Sequence, residues 1–304
     1  MNHEFEPATF HLSIGSHEPV LRVASGDTIR TWCVDSGGYD REGEDLTDGG
    51  NPMTGPFYVE GAEPGDTLAV RLDQVRPNRT RGVTGARIAP NVLDPEFIPE
   101  YGYVEQRDVW WTLDLDLGTA SLEDPPEGLA GLGEVELEPM VGCLGVAPGR
   151  GQAISTATSG PHGGNMDYRG FREGVTVFFP VAVEGALFHI GDGHALQGDG
   201  EIVGTGIEVS MDVEFTLEVV KKRIGWPRAD DGTFVMAVGN ARPLDQAVQH
   251  ATTELVTLLH EDYELDYPAA STLLGQSIRY DIGNVFDPAY TVVAKVEQAL
   301  LERL

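Results

Sequence analysis

Side chains that could bind a metal ion or transfer protons are concentrated in one glycine-rich stretch, residues 191–201. Five such side chains occur there among four glycines: Asp192, His194, Gln197, Asp199 and Glu201. Glycine permits positive φ angles and lets a substrate or ion approach the backbone closely. Asp, Glu and His bind divalent cations and move protons. The stretch therefore indicates a metal or acid–base site, although Asp-Gly steps are also ordinary hairpin-turn chemistry.

Two β-type segments flank this stretch and would have to position it. Residues 175–183 form an apolar run, and residues 207–220 alternate apolar with polar side chains. Both patterns predict strands. We therefore expect a polar loop over residues 185–208 that is held between two strands, which is a common setting for a functional site.

Two other glycine-framed segments carry polar side chains. Asp35 follows a predicted strand over residues 27–34, and both a metal ligand and an Asx turn account for it. Residues 160–168 bring His162, Asn165 and Asp167 next to two glycines, although a lone histidine is more often a packing or surface residue. We predict that these segments and the 191–201 stretch share one cavity. Glu60 either faces that cleft or is a solvated charge at a strand end.

Charge and length exclude some classes of protein. The chain has 304 residues, with 49 Asp and Glu against 20 Lys and Arg, a formal net charge of −29. This excess repels polyanions, so we expect no nucleic-acid binding. Self-repulsion also destabilises the compact state at low salt, which predicts a halophilic protein from a salt-accumulating cytoplasm.

Neither a membrane span nor a secretion leader is visible in the sequence. No apolar stretch approaches the roughly 18 residues that a span needs, and the start lacks a basic, apolar and small-residue leader. We therefore expect a cytoplasmic protein that is not embedded in a membrane. Cys33 and Cys143 are too few for a disulfide framework and are predicted to be buried thiols.

The secondary-structure pattern predicts a mainly β protein. Short strands dominate residues 1–225, which we expect to form a sandwich-like or barrel-like catalytic scaffold. Residues 226–304 add a smaller α/β part, with a helix starting near Pro243 and a second one over 268–274. Residues 76–103 read as a long loop, and residues 39–54 as a flap near the site.

Three motifs occur in register along the chain: TGPFYVEGAEPGD at 54–66, GPHGGNMD at 160–167 and GDGHALQGDGE at 191–201. Together they resemble the acetamidase/formamidase family. The resemblance implies a mainly β cytoplasmic hydrolase that releases ammonia from short carboxamides and assembles as a homo-oligomer, a dimer or larger. It also implies that the family's polar positions are Asp35, Asn165, Asp167, Asp192, His194 and Glu201, whereas His162, His189 and Cys143 fall at positions where relatives vary.

Amide hydrolysis requires an activated water, a stabilised oxyanion and a protonated leaving nitrogen. We expect a divalent metal ion, either zinc or calcium or magnesium, bound by Asp35, Asp167, Asp192 and His194. Glu201 is the expected base and later acid with His194 beside it, and Asn165, Gln197 and Glu60 are expected to bind the substrate. Two alternatives remain: a metal-free mechanism carried by the carboxylates, and a non-catalytic β-domain that binds a small ligand or cation.

Overall fold

The computed structural model describes residues 1–47 and 49–304, and it confirms a mainly β protein with few helices. In chain order the strands are β1 (Asn2–Glu4), β2 (Ser13–Gly15), β3 (Leu21–Val23), β4 (Asp27–Cys33), β5 (Thr54–Val59), β6 (Thr67–Pro77), β7 (Arg81–Thr84), β8 (Val109–Asp114), β9 (Thr119–Leu122), β10 (Val135–Glu136), β11 (Met140–Val146), β12 (Ala153–Ser155), β13 (Ser159–Gly160), β14 (Gly163–Asn165), β15 (Thr176–Pro180), β16 (Phe188–His194), β17 (Met211–Val220), β18 (Arg228–Asp230), β19 (Phe234–Ala241), β20 (Arg279–Asn284) and β21 (Tyr290–Glu297). The helices are α1 (Ile98–Tyr101), α2 (Leu244–Asp262), α3 (Tyr267–Ser277) and α4 (Gln298–Leu301).

The largest sheet has nine strands in the order β1-β4-β17-β6-β15-β18-β19-β21-β20. Its third strand, β17, pairs antiparallel with both β4 and β6, and its alternating sequence is typical of an antiparallel strand. Helix α2 packs on β19 and β21 through an apolar face that includes Ala251 and Leu255. The sheet runs across residue 225, and the division of the chain at that point stays a prediction.

A second sheet of six strands, in the order β13-β14-β11-β16-β5-β3, carries most of the polar residues of interest. Its strand β16 pairs antiparallel with β11 and β5, so residues 188–194 are a buried central strand and not part of a loop. The expectation of one continuous loop over 185–208 is therefore wrong for its first half. The glycines that suggested a loop instead allow close packing against the nine-stranded sheet, because a Cβ at Gly193 would collide with Met211 of β17.

The two large sheets pack face to face through aromatic side chains. Phe57 and Phe188 of the six-stranded sheet contact Phe215 of the nine-stranded sheet, with ring centroids 5.4 and 5.3 Å apart. All three rings are fully buried. Burying an aromatic side chain of this size contributes about 1.5–3 kcal/mol, so this layer fixes how the sheets sit on each other.

Other elements differ from the sequence prediction in their limits. Near the start of the chain, β2 pairs with β12 in a separate two-stranded sheet. The long loop expected over 76–103 contains β7 and α1, and β7 joins a four-stranded sheet in the order β10-β9-β8-β7. Asp48, within the predicted flap, lies outside the described residues. None of the described helices is long and apolar enough to cross a membrane.

Candidate active site

Five acidic and imidazole side chains from separate parts of the chain converge at one buried place. Asp167, His194 and Glu201 form one group, and Asp192, His194 and Glu208 form another. Within each group the potential ligand atoms lie within 4.8 Å of one another. We call these five residues the carboxylate cluster. The structure thus brings together Asp167, Asp192, His194 and Glu201, which the sequence singled out, and it adds Glu208.

Sheet pairing explains why these segments meet. Strand β11 lies between β14 and β16, with Cys143 opposite both Asn165 and Gly191. Its neighbour Gly142 therefore faces both Asp167 and Asp192. A Cβ at Gly142 would lie 2.4 Å from Asp167 Oδ1 and 2.7 Å from Asp192 Oδ2. Only glycine leaves room for the two carboxylates at their observed positions.

Local backbone conformation also marks this site. Eight residues other than glycine have positive φ angles among the described residues, and four of them are at the site. These four are Asn51 (62°), Asp167 (43°), Asp192 (64°) and Glu201 (47°). Such conformations cost about 1–3 kcal/mol each and persist where the surrounding structure holds them, which is typical of functional sites.

The orientation of His194 is fixed by Gln197. The His194 Nδ1 lies 2.7 Å from Gln197 Oε1, and an amide oxygen only accepts, so Nδ1 donates. The Gln197 Nε2 in turn donates to the backbone oxygen of Asp167 at 2.6 Å. The oxygen and the nitrogen of the Gln197 amide are therefore both bonded within the protein. Gln197 thus orients His194, whereas we expected it to bind the substrate.

The remaining ring nitrogen of His194 faces carboxylates. Its Nε2 lies 2.9 Å from Glu208 Oε1 and 3.3 Å from Asp192 Oδ1, but it makes no aligned hydrogen bond. Glu208 is held in turn by Ser36, whose Oγ donates to Glu208 Oε2 at 2.7 Å. Nε2 thus has two possible roles. In the protonated ring it carries a proton that pairs with the carboxylates, and in the neutral ring it can bind a cation.

Three asparagine amides connect the carboxylates. Asn51 Nδ2 donates to Asp192 Oδ2 at 3.0 Å and to Asn165 Oδ1 at 2.7 Å. Asn165 Nδ2 donates to Asp287 Oδ2 at 2.5 Å.

Asn284 Nδ2 is surrounded by three carboxylate oxygens, from Asp167, Glu201 and Asp287, at 2.7, 2.8 and 2.9 Å. An amide NH₂ has only two hydrogens, so at least two of the three carboxylate oxygens must share one of them.

The electrostatics of the cluster follow from burial and mutual repulsion. Burial raises the pKa of Asp167 well above its usual value, and the charges of Glu201 and Asp192 raise it further. Burial likewise raises the pKa of Glu201 well above its usual value and that of Glu208 to about 7. Without a cation, the cluster therefore retains protons at neutral pH.

His194 and Asp192 respond to each other in the opposite sense. Burial lowers the pKa of His194, but the Glu208 and Asp192 carboxylates outweigh this effect and raise it well above its usual value. Burial raises the pKa of Asp192, but the charge of His194 and the hydrogen bond from Asn51 outweigh it, so the pKa is lowered. The two residues thus form a buried ion pair when no cation replaces the proton.

Two predicted site residues are not brought into the cluster. Asp35 is buried, but its Oδ2 binds the guanidinium of Arg79 at 2.6 Å and its Oδ1 accepts from the backbone nitrogen of Tyr39. The guanidinium satisfies the Asp35 charge, so the structure gives this residue a structural ion pair where we expected a metal ligand. Glu60 is exposed on the turn after β5, away from the cluster.

Sequence reasoning missed four contributors to the site: Asn51, Glu208, Asn284 and Asp287. Glu208 sits in an alternating segment that reads as an ordinary strand, and its backbone forms bridges to Val83 and His194. Asn51 lies three residues before the start of the TGPFYVEGAEPGD motif, which was the only signal in its favour. Asn284 and Asp287 lie more than 80 residues beyond Glu201, and no local pattern marks them.

The cluster fits a divalent cation. His194 Nε2 and Asp167 Oδ1 are fully buried polar atoms without hydrogen-bond partners among the described residues. Imidazole with two carboxylates is a donor set that zinc accepts, and carboxylates alone suit calcium or magnesium. Both ligand groups include His194, and its Nδ1 already binds Gln197, so only Nε2 can bind a cation. A cation on Nε2 would therefore occupy either one ligand group or the other.

Comparisons with known proteins agree with the three motifs. Residues 145–250 match the family model described as the Acetamidase/Formamidase family. The chain superposes on a structure described as a predicted acetamidase/formamidase from the thermophile Thermoanaerobacter tengcongensis, with 28% identity, a TM-score of 0.86 and coverage of 100% of this chain and 98% of that one. An acetamidase from Bacillus halodurans gives a TM-score of 0.84 at 28% identity over 99% of both chains.

Curated relatives are matched over part of their length. The formamidase of Methylophilus methylotrophus is 28% identical over 252 residues, which are 66% of this chain and 61% of that protein. The chain spans 53–62% of the length of the three curated relatives that it matches. The family-model match contains the whole carboxylate cluster but ends before Asn284 and Asp287. These similarities confirm the resemblance predicted from the motifs.

Proposed function

We propose that this chain, whose residues 145–250 match the Acetamidase/Formamidase family model, is an amidohydrolase that releases ammonia from short aliphatic carboxamides such as formamide and acetamide. The observation that carries the proposal is the buried carboxylate cluster around His194. Such a cluster supplies both proton transfer and cation binding in a water-poor site. Amide hydrolysis needs both functions, because nitrogen leaves poorly and the carbonyl is weakly electrophilic.

The residues divide these tasks in the following way. His194, with Asp192 and Glu208, is the cation-binding group, and a divalent cation bound there would supply Lewis-acid polarisation of the amide carbonyl. Glu201 accepts a proton from the attacking water and returns it to the leaving nitrogen. Asp167 and Glu201 accept hydrogen bonds from the same nitrogen, Asn284 Nδ2. Asp167 stays protonated while Glu201 transfers its proton.

Hydrogen bonds from fixed amides hold this arrangement in place. Asn51 orients Asp192, Gln197 orients His194, and Asn284 orients Glu201. Because each amide is itself held by neighbours, the carboxylates need little reorganisation during the reaction. Asn165 is our candidate for binding the substrate amide, since its Nδ2, unlike that of Gln197, donates to a single acceptor among the described residues, Asp287, and has a second hydrogen for the substrate.

An ammonia-release assay on formamide, acetamide and propionamide, with and without exhaustive chelation and in high salt, tests the proposal. Glu201→Gln should lower kcat by about 10²–10⁴-fold without changing the melting temperature. Asp199→Asn is the matched control, because Asp199 is an exposed acidic neighbour. Near-normal turnover by Glu201→Gln would remove Glu201 from this role. Cation binding without ammonia from any amide would instead support the non-catalytic β-domain.

The same proposal includes properties of the protein in its cell. A cytoplasmic location and assembly into a homo-oligomer are supported by the family resemblance. Adaptation to high salt is supported by the net charge of −29. Sedimentation analysis in dilute and in concentrated KCl tests the last two together.

A further inference from the structure

Asp287 differs from the carboxylates of the cluster in its access to solvent. Asp167, Asp192, Glu201 and Glu208 are at most 6% exposed, whereas Asp287 is only half-buried. Asp287 nevertheless binds to the same network, because Asn284 contacts it together with Asp167 and Glu201. Asp287 is therefore more exposed to solvent than these four buried carboxylates.

The position of Asp287 is fixed by its own turn. Asn284 Oδ1 accepts hydrogen bonds from the backbone nitrogens of Phe286 and Asp287 at 2.8 and 2.9 Å. The same asparagine donates through Nδ2 to Asp287 Oδ2, and Asn165 donates to that oxygen as well. Both amides bind Oδ2, and no hydrogen bond from the described residues reaches Oδ1. One oxygen is thus anchored and the other is left for a ligand.

An adjacent cavity is separated from the cluster by backbone hydrogen bonds. A cavity of about 640 Å³ is walled by Gly200, Ile202, Ile282 and Val285. Backbone hydrogen bonds from Gly200 to Ile282 and from Val285 to Gly200 form a wall on its inner side. None of the five cluster residues lines this cavity.

We infer that Asp287 is a further catalytic residue, whose Oδ1 accepts an N–H of the substrate carboxamide and then holds the ammonium that leaves. In the reaction RCONH₂ + H₂O → RCOO⁻ + NH₄⁺, a C–O bond forms, the C–N bond breaks and both water protons end on nitrogen. An ionised carboxylate binds an N–H donor and a cation more strongly than a neutral group does. The inference rests on the proposed amidohydrolase function.

The chemistry predicts selectivity for amides over esters. An ester of the same acid has no N–H donor, and its leaving group is not a cation. Removing the charge of Asp287 should therefore impair amide hydrolysis much more than ester hydrolysis. A merely structural role of Asp287 would impair both reactions equally.

The test compares wild type with Asp287→Asn on acetamide and methyl acetate, with Asp199→Asn as the exposed control. We expect kcat/KM for acetamide to fall about 100-fold, ester hydrolysis to change less than about threefold, and the control to match wild type. Ammonium chloride should inhibit wild-type acetamide hydrolysis and should inhibit the variant much less.

Each other outcome has a distinct meaning. An equal loss on amide and ester, or an unchanged rate on acetamide, would overturn the role of Asp287. The variant could fail to fold, or wild type could lack esterase activity. In either case the deciding measurement is inhibition of wild-type acetamide hydrolysis by ammonium chloride, and no inhibition would overturn the inference. Failure of wild type to release ammonia from any amide would overturn the proposed function itself, which is a different result.

Discussion

A substitution at Gly142 would change the geometry of the cluster directly. A methyl group added there would lie 2.4 Å from Asp167 Oδ1 and 2.7 Å from Asp192 Oδ2. Ordinary contact starts at 3.4 Å, so the two oxygens would have to move by about 1.0 and 0.7 Å. The backbone at Gly142 is not in the left-handed region, so Gly142→Ala changes side-chain space and not backbone conformation.

Displacements of this size should affect activity more than stability. A misplacement of about 1 Å costs roughly 100-fold in rate, which corresponds to about 2.7 kcal/mol of transition-state stabilisation. Overpacking typically costs about 1–3 kcal/mol of folding free energy. We therefore expect Gly142→Ala to fold, to melt a few degrees lower, and to lose about two orders of magnitude in kcat/KM together with cation affinity.

The assay combines ammonia release, calorimetric titration with zinc and calcium, and thermal melts. Gly225→Ala is the matched control, because its Cβ would lie 2.9 Å from Glu254 Oε2, a carboxylate that pairs with Arg228 outside the cluster. The control should lose some stability and no activity. If Gly142→Ala kept wild-type kcat/KM and cation affinity, the assignment of Asp167 and Asp192 to the reaction would be refuted.

Three further predictions concern Asp35, His189 and the net charge of the chain. Asp35→Asn should cost about 3–5 kcal/mol in unfolding titrations, because it leaves Arg79 without its buried partner, and should leave cation affinity unchanged; weaker cation binding would restore Asp35 as a ligand. Burial lowers the pKa of His189 from 6.5 to about 3, so below pH 6.5 the unfolded chain binds a proton that the folded chain does not. Stability should therefore fall on acidification toward pH 3 by up to about 1.4 kcal/mol per pH unit, and His189→Asn should have a shallower slope in melts between pH 7 and 4; equal slopes would contradict this cause. Finally, the net charge of −29 predicts a higher melting temperature in molar KCl than in dilute buffer, and an unchanged melt would contradict it.

Much of the scaffold could be predicted because its patterns are local. Strand β17 and helix α2 follow directly from alternation and from apolar spacing, and the structure has both within a few residues of the expected limits. Strand β16 could not be recognised, because its glycines and polar residues resemble a turn. What makes it a strand is pairing with β11 and β5, which is a non-local effect.

The site could be predicted only where polar residues are dense along the sequence. Asp167, Asp192, His194 and Glu201 stand in glycine-framed motifs, and the structure places them together. Asp35 stands in a similar frame, yet Arg79 from a distant segment binds it instead. Asp287 and Asn284 enter the site through the pairing of β20 with β21 and the Gly200 bridge, which residue types alone do not reveal.

The left-handed backbone at Asn51, Asp167, Asp192 and Glu201 has a consequence for engineering this protein. Glycine at such positions removes a penalty of about 1–2 kcal/mol, so a search for thermostable variants would favour Asp167→Gly or Glu201→Gly as readily as replacements at Arg150 or Glu264. The first two would delete the groups assigned to proton transfer, whereas the last two lie outside the site. Screening for heat resistance alone would therefore select inert proteins, and activity has to be scored alongside it.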